Sequence, residues 1–148
     1  MTFWPIERGC FSKYQIPDFY CGFDGVAHGG MVACILYEVA SWCVNTVVYH
    51  LVLTRKMEIT FLKPVPTDVD LFMVSLVTHM DAKNVATYSA IVNAEGIRLA
   101  EATADFSLTP HGIIAKLANM EEETLQQLHE QIVVPIKAYM TSLKNNGK

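Results

Sequence analysis

Residues 24–46 read DGVAHGGMVACILYEVASWCVNT and decide the fold of this chain. Two adjacent glycines, Gly29 and Gly30, follow a histidine and open into a run that is apolar almost all the way round. Such a run predicts a helix that is packed on every side, because a half-exposed helix shows a polar stripe. The N–H groups of the glycines lie at the positive end of the helix dipole. We therefore predict that this turn receives an anion, or a carbonyl oxygen that acquires negative charge.

The few polar side chains of this helix are not scattered. Glu38, Ser41 and Asn45 stand at positions i, i+3 and i+7 and therefore share one face, and Tyr37 is one step round from Glu38. One interpretation is a buried helix whose polar groups are satisfied by neighbouring backbone. The other is a pocket wall, in which an apolar environment raises the pKa of Glu38 and makes its carboxylate a useful base.

Composition excludes some functions and favours an oligomer. The net charge is −4 and there is no basic run, so nucleic-acid binding is not expected. Hydrophobic residues make up 51% of the chain, and a membrane or a large subunit interface would account for this excess. Glu38 and His50 interrupt residues 29–53, the longest apolar run, and charge inside a bilayer is unfavourable. We therefore expect no membrane span and an obligate oligomer, whose interface resembles a bisected core.

The cysteines and the amino terminus favour a cytoplasmic protein. Cys10, Cys21, Cys34 and Cys43 form no C-x-x-C pair, and no histidine lies at metal-ligand spacing from them. We expect free thiols in a reducing cytosol and no metal site. Residues 1–10 lack the continuous apolar core of a signal peptide.

The remaining pattern predicts an α+β fold in which one antiparallel sheet wraps around a single long helix. Alternation and turn residues predict strands at 7–16, 50–63, 70–80, 85–94 and 97–108, after a lead-in at residues 1–5. Two helical pieces are predicted at about 120–132 and 136–144, because Pro135 interrupts the helical pattern. We assign residues 1–110 to the main domain and residues 111–148 to a C-terminal helical extension packed on it.

Two segments together resemble a known family. His28-Gly29-Gly30 before the apolar helix, followed by TRKMEITFLKPVP at residues 54–66, resembles the hotdog-fold acyl-CoA thioesterases, particularly the phenylacetate-pathway type. The resemblance covers roughly residues 11–108. It implies the hotdog fold, a homodimer or dimer of dimers with active sites at the dimer interface, and hydrolysis of an acyl-CoA or aryl-CoA thioester. No cofactor is implied apart from the coenzyme A carried by the substrate.

The resemblance also assigns catalytic roles. The N–H of Gly29 would polarise the thioester carbonyl, Thr54 would help to place the attacking water, and His28 would orient the loop or contact substrate. A plain helix cap is the alternative role for His28. Relatives carry Asp or Glu nine residues after this histidine, where this chain has Tyr37, and some carry an Asp-Glu pair whose second member matches Glu38. One residue is about 100° of helix rotation, so Glu38 does not simply replace the missing acid, and Tyr37 and Glu38 both become candidate catalytic residues.

The candidates for substrate binding come from the aromatic loop, the glycine turn and the strand ends. They are Phe23, in a loop with Phe19 and Tyr20, then Gly30, and for the coenzyme A phosphates Lys83 and Arg98, with Arg55 and Lys63 as further basic candidates. The loop is compatible with a medium-length or aromatic acyl group. The alternative function is a non-catalytic hotdog protein that binds an acyl-thioester or another apolar ligand.

Overall fold

The computed structural model describes residues 1–146. In chain order its elements are β1 (Thr2–Ile6), β2 (Gly9–Tyr14), a 3-10 turn (Asp18–Tyr20), β3 (Cys21–Phe23), β4 (Val26–Ala27), α1 (Gly29–Val47), β5 (Val52–Phe61), β6 (Leu71–Met80), β7 (Asn84–Val92), β8 (Arg98–Leu108), α2 (His111–Leu117) and α3 (Glu122–Asn146).

Within this described part of the chain, six strands form one antiparallel sheet in the order β1-β2-β6-β7-β8-β5, and β3 pairs with β4 in a small separate ribbon. The helix α1 lies across the sheet and contacts mainly β2, β6 and β7. The strands alternate as predicted, so that Ala102, Ala104 and Phe106 of β8 face the helix and are buried. The predicted α+β architecture, with the sheet around one long helix, is therefore confirmed.

Within the single chain α1 is buried on one face only, so the prediction that it is packed on every side depends on the predicted oligomer and stays a prediction. Its apolar face, including Leu36, Val39 and Cys43, is fully buried against the sheet. A stripe on the opposite face stays exposed, and it contains Tyr37 and Glu38. By length and composition α1 could also cross a membrane, but here it is the core helix of the sheet. The stripe leaves one side of α1 without a cover from its own chain.

The predicted amino-terminal strand exists with different bounds, and the strand before it was missed. The predicted lead-in is β1, and the predicted strand 7–16 begins only at Gly9, because Glu7 and Arg8 form the turn of a β1–β2 hairpin. An aromatic pair, Trp4 and Phe11, stabilises this hairpin with ring centroids 5.8 Å apart. Gly9 is required here, because a Cβ at this position would lie 1.9 Å from the carbonyl oxygen of Ser75 on β6.

The C-terminal extension differs from the prediction as well. The helix α3 continues through Pro135 instead of breaking into pieces at 120–132 and 136–144. A proline inside a helix leaves the carbonyl four residues earlier without its N–H partner. That carbonyl belongs to Gln131, and both Gln131 and Pro135 are exposed residues, so water can satisfy the group. The helix α3 packs on α2, α1 and β1.

Candidate active site

The amino terminus of α1 leaves one N–H group free. His28 is the N-cap residue, and its Nδ1 accepts a hydrogen bond of 3.0 Å from the N–H of Gly30. The carbonyl of His28 accepts the N–H groups of Met31 and Val32. The N–H of Gly29 donates to no acceptor among residues 1–146. Because it lies at the positive end of the helix dipole, this N–H can stabilise a carbonyl oxygen that gains negative charge.

The loop before α1 is fixed by hydrogen bonds to the segment that follows β5. Ala27 donates its N–H to the carbonyl of Val65 at 2.8 Å, and Thr67 donates its N–H to the carbonyl of Gly25 at 3.1 Å. Gly25 has φ of +66°, a conformation that turns β3 into β4 and favours glycine. These bonds hold the glycine turn against the end of β5 and place the free N–H beside it.

An apolar cavity of about 410 Å³ opens beside Gly29. Phe23, Phe61 and Val65 form part of its walls, and Lys63 supplies a positive charge. A Cβ on Gly29 would lie 3.6 Å from the ring of Phe61, so the helix start directly faces this ring. The volume and the apolar lining are typical of sites for small molecules. Phe61 was not among the predicted site residues, although it lies on the same face of β5 as Met57 and Ile59.

A second cavity, of about 320 Å³, lies on the other side of the glycine turn. Tyr20, His28, Gly30 and Cys34 contribute to its lining. The predicted binding residue Gly30 therefore borders a cavity, but its N–H is already bonded to His28. Of the two glycines, Gly29 is the one whose N–H remains available to a ligand.

Tyr37 and Thr54 are brought together by the packing of α1 on β5. The hydroxyl of Thr54 donates a hydrogen bond of 3.3 Å to the hydroxyl of Tyr37. The next residue, Glu38, is exposed, and its side chain makes no hydrogen bond or ion pair with any residue that the structure describes. The apolar environment that the sequence predicted for Glu38 is thus not supplied by its own chain.

The chain by itself does not bring all of its catalytic candidates together. Tyr37 lies eight positions after Gly29 on α1, which is about 12 Å along the helix axis. Thr54 and Phe61 are seven residues apart on β5, which is roughly 20 Å along the strand. The free N–H of Gly29 and the polar group of Tyr37, Glu38 and Thr54 therefore form two separate sites on one chain.

The predicted basic residues divide between the two ends of the sheet. Arg98 lies near the end of β5 that carries Phe61, since the carbonyl of Leu99 accepts the N–H groups of Leu62 and Lys63. Its guanidinium is bound to Glu101 at 2.8 Å and to the hydroxyl of Tyr88 at 3.0 Å. These bonds raise the already high pKa of Arg98 further, with the Tyr88 hydroxyl as the main cause.

Lys83 and Arg55 lie at the opposite end of the sheet. The carbonyl of Lys83 accepts the N–H of Leu108, which pairs with Val52 at the start of β5. Arg55 donates to the side-chain oxygen of Asn84 at 2.9 Å. Within one chain Lys83 therefore lies nearly the full length of β5 away from Gly29. Over residues 1–146 no cluster of three or more His, Cys, Asp or Glu side chains is arranged to hold a metal ion.

Comparison with solved structures identifies the fold. A hypothetical thioesterase from Streptococcus pneumoniae TIGR4, solved with coenzyme A, matches with a TM-score of 0.65 and 19% identity over 70% of this chain and 82% of that one. The protein smu.793 from Streptococcus mutans UA159, bound to acetyl CoA, matches with a TM-score of 0.66 and 18% identity over 72% and 86%.

A third match covers less of its counterpart. A thioesterase superfamily protein gives a TM-score of 0.62 and 20% identity over 67% of this chain, which spans 48% of that protein. No protein-family model and no curated protein sequence matches the chain. The structural matches show that this chain has the hotdog fold found in thioesterase superfamily proteins.

Proposed function

We propose that this protein is a thioesterase that hydrolyses an acyl-CoA or aryl-CoA thioester. The observation that carries the proposal is the free N–H of Gly29, which opens at a helix amino terminus beside the apolar cavity of Phe23 and Phe61. A thioester has a carbonyl next to an apolar acyl group. The N–H of Gly29 can donate to the carbonyl, and the cavity can hold the acyl group. Two structures with the same fold contain coenzyme A or acetyl CoA, which supports a ligand of this class.

The proposed reaction uses water and needs no metal or redox cofactor. The N–H of Gly29 donates to the carbonyl oxygen and stabilises the charge that develops on it. Glu38 takes a proton from water as the oxygen of that water bonds to the carbonyl carbon, and Thr54 and Tyr37 orient the water. The carbon–sulfur bond then breaks, the protonated Glu38 returns its proton to the departing thiolate of coenzyme A, and the carboxylic acid leaves.

A complete site of this kind requires two chains. Gly29 and Glu38 are too far apart within one chain, whereas a two-fold axis with antiparallel α1 helices brings Gly29 towards the partner subunit's Glu38. The exposed stripe of α1 and the position of β5 at the sheet edge offer the surfaces for such a pair. We therefore propose a homodimer, alone or as half of a dimer of dimers, with two equivalent sites at its interface.

A non-catalytic binding protein is the second candidate. Tyr37 stands where related thioesterases have their acid, and its hydroxyl is already engaged with Thr54. A phenolic hydroxyl is a hydrogen-bond donor and acceptor and does not replace the carboxylate base at this position. If Glu38 does not reach the water, the cavity beside Gly29 would still bind an acyl-thioester without hydrolysing it.

Thiol release from a panel of acyl-CoA and aryl-CoA thioesters separates these functions. Each thioester is also measured for binding by calorimetry, and the matching pantetheine thioester reports whether the nucleotide contributes. Release above the uncatalysed rate supports the thioesterase, and binding without release supports the binding protein. If no thioester of the panel binds or is hydrolysed, both the thioesterase and the binding protein are contradicted.

A further inference from the structure

Three histidines meet where the C-terminal helices contact the core. His50 lies between α1 and β5, His111 begins α2, and His129 is on α3. The ring of His111 lies between the other two, with centroids 5.4 Å from His50 and 5.2 Å from His129. His129 is only 7% exposed. The cluster is separate from the site around Gly29, because it joins three segments at the carboxyl end of α1.

The contacts of the cluster suit neutral rings. The Nε2 atom of His111 and the Nδ1 atom of His129 are 3.1 Å apart, and one of the two must be unprotonated to accept the hydrogen bond. The Nε2 atom of His129 is buried without a partner among the described residues. Nδ1 of His50 lies 2.6 Å from the carbonyl of Leu51 and therefore carries a hydrogen. An added proton would break the shared bond between His111 and His129 or charge a buried ring.

The charged groups around the histidine cluster would not offset the positive charge of an added proton. On α3, Lys137 lies 5.0 Å above the ring of Tyr49 and adds positive charge. Glu130 accepts from Gln126 at 3.3 Å, and the carboxylate of Glu122 lies against Gly112 of α2. Neither carboxylate forms an ion pair with the three histidines in the described structure. Burial lowers the pKa of His129, and His111, His50 and Lys137 lower it further, while Glu130 acts weakly in the opposite direction.

The interface that the cluster closes is loosely packed. The helix α3 contacts the core through α1 and β1. A cavity of about 400 Å³ remains there between Phe3 and Trp42 on the core side and Pro135 and Tyr139 on α3. A segment with few buried contacts opens locally before the whole protein unfolds. A small change in free energy at the histidines can therefore decide whether α3 stays docked.

We propose that His50, His111 and His129 form a pH-sensitive latch that holds α2 and α3 on the core at neutral pH and releases them as the pH falls below about 6.5. In the released state His129 is solvated and takes up a proton as an ordinary histidine does. The docked state resists protonation at His129, so the released state binds more protons as the pH falls and becomes favoured. The effect levels off once the pH passes below the pKa of the docked histidine.

Hydrogen exchange between pH 7.5 and pH 5.5, corrected for intrinsic rates, tests the latch on the full chain. We expect α3 amides near His129 to exchange faster at pH 5.5 than at pH 7.5, by up to about tenfold, because a histidine that takes up its proton near pH 6.5 only in the released state can favour that state by no more than this one unit below that pH. The amides of β7 and β8 should keep their protection. Trp42 fluorescence in a Trp4→Phe background gives an independent reading, because Trp42 borders the cavity beneath α3.

Two variants test whether the pH response of α3 depends on the histidine cluster. His129→Gln removes the buried titratable ring and should reduce the pH response, and His111→Gln serves the same purpose if His129→Gln does not fold. His79→Gln is the matched control, because His79 is an exposed histidine on β6. Equal acceleration of α3 and the sheet, no acceleration of α3, or the same pH response in His129→Gln as in the wild type would overturn the latch.

Discussion

The hydroxyl groups of Tyr37 and Thr54 are hydrogen-bonded at 3.3 Å, which joins the exposed stripe of α1 to the edge strand β5. The two residues are seventeen positions apart in sequence. Tyr37 occupies the place where the resemblance to thioesterases predicts an acid, and Thr54 occupies the place predicted to orient water. Their contact puts Tyr37 directly beside Thr54, a predicted catalytic residue. Glu38 is then the nearest carboxylate on the helix.

Removing the proposed base tests the role of Glu38. If Glu38 takes a proton from water, Glu38→Gln should lower kcat for thioester hydrolysis by about 10²–10⁴ and leave KM similar. Glu58→Gln is the matched control, because Glu58 is an exposed glutamate on β5 that pairs with Lys56. Steady-state kinetics should show a large loss of kcat in Glu38→Gln and little change of kcat in Glu58→Gln. Nearly full activity in Glu38→Gln would mean that Glu38 is structural.

The hydrogen bond between Tyr37 and Thr54 should appear as an energetic coupling between the two residues in a double-mutant cycle. Tyr37→Phe and Thr54→Val should each reduce kcat/KM by about fivefold, which corresponds to about 1 kcal/mol for one hydrogen bond. The double variant should be little worse than either single variant, because both remove the same interaction. Additive losses in this double-mutant cycle would show that the two hydroxyl groups act independently.

Gly29→Ala should separate folding from activity. The added Cβ meets only the ring of Phe61, at 3.6 Å, which is ordinary contact distance, so the melting temperature should stay the same or rise slightly. The added Cβ would also occupy space beside the free N–H of Gly29, and thioester hydrolysis should therefore fall by about 10²-fold. Gly9→Ala gives the contrast in thermal unfolding, since its Cβ would lie 1.9 Å from a backbone oxygen. A fully active Gly29→Ala protein would argue against this N–H as the carbonyl donor.

Two substitutions at His28 distinguish a cap from a substrate contact. His28→Ala removes the acceptor for the Gly30 N–H and should lower the free energy of unfolding by about 0.5–2 kcal/mol. His28→Asn should stay close to wild type, because asparagine is a preferred N-cap residue. Urea unfolding measures both variants, and activity is compared at equal folded concentration. A stable but inactive His28→Asn protein would indicate that the imidazole touches substrate.

The exposed stripe of α1 should be the dimer surface. Ser41→Arg places a charged side chain on this stripe and should convert the proposed dimer to monomer in sedimentation velocity at micromolar concentration. Activity should disappear with the dimer if the site is shared between chains. Thr103→Arg is the control, because Thr103 is exposed on the outer face of β8. A wild-type protein that sediments as a monomer would refute the two-chain site.

Local signals in the sequence were sufficient for the architecture. The apolar run after Gly29 identified the central helix, and the alternation of Met57, Ile59 and Phe61 identified the strand β5. These patterns are short-range consequences of burial on a 3.6-residue or a two-residue period. The β1–β2 hairpin was missed because its pairing depends on a cross-strand contact of Trp4 and on the close approach of Gly9 to β6.

The sequence alone determined that a glycine turn opens a long apolar helix and that the helix carries Tyr37 and Glu38 side by side, because residue order and helical period fix both. A local contact, in which the imidazole of His28 folds back on the N–H of Gly30, leaves the N–H of Gly29 without an acceptor among the described residues, and only the tertiary structure decided that Gly29 faces Phe61 of β5. It also decided that Tyr37 meets Thr54 and that His129 meets His111. Contacts between residues seventeen or eighteen positions apart depend on how the elements pack, and periodicity along the chain does not encode that packing.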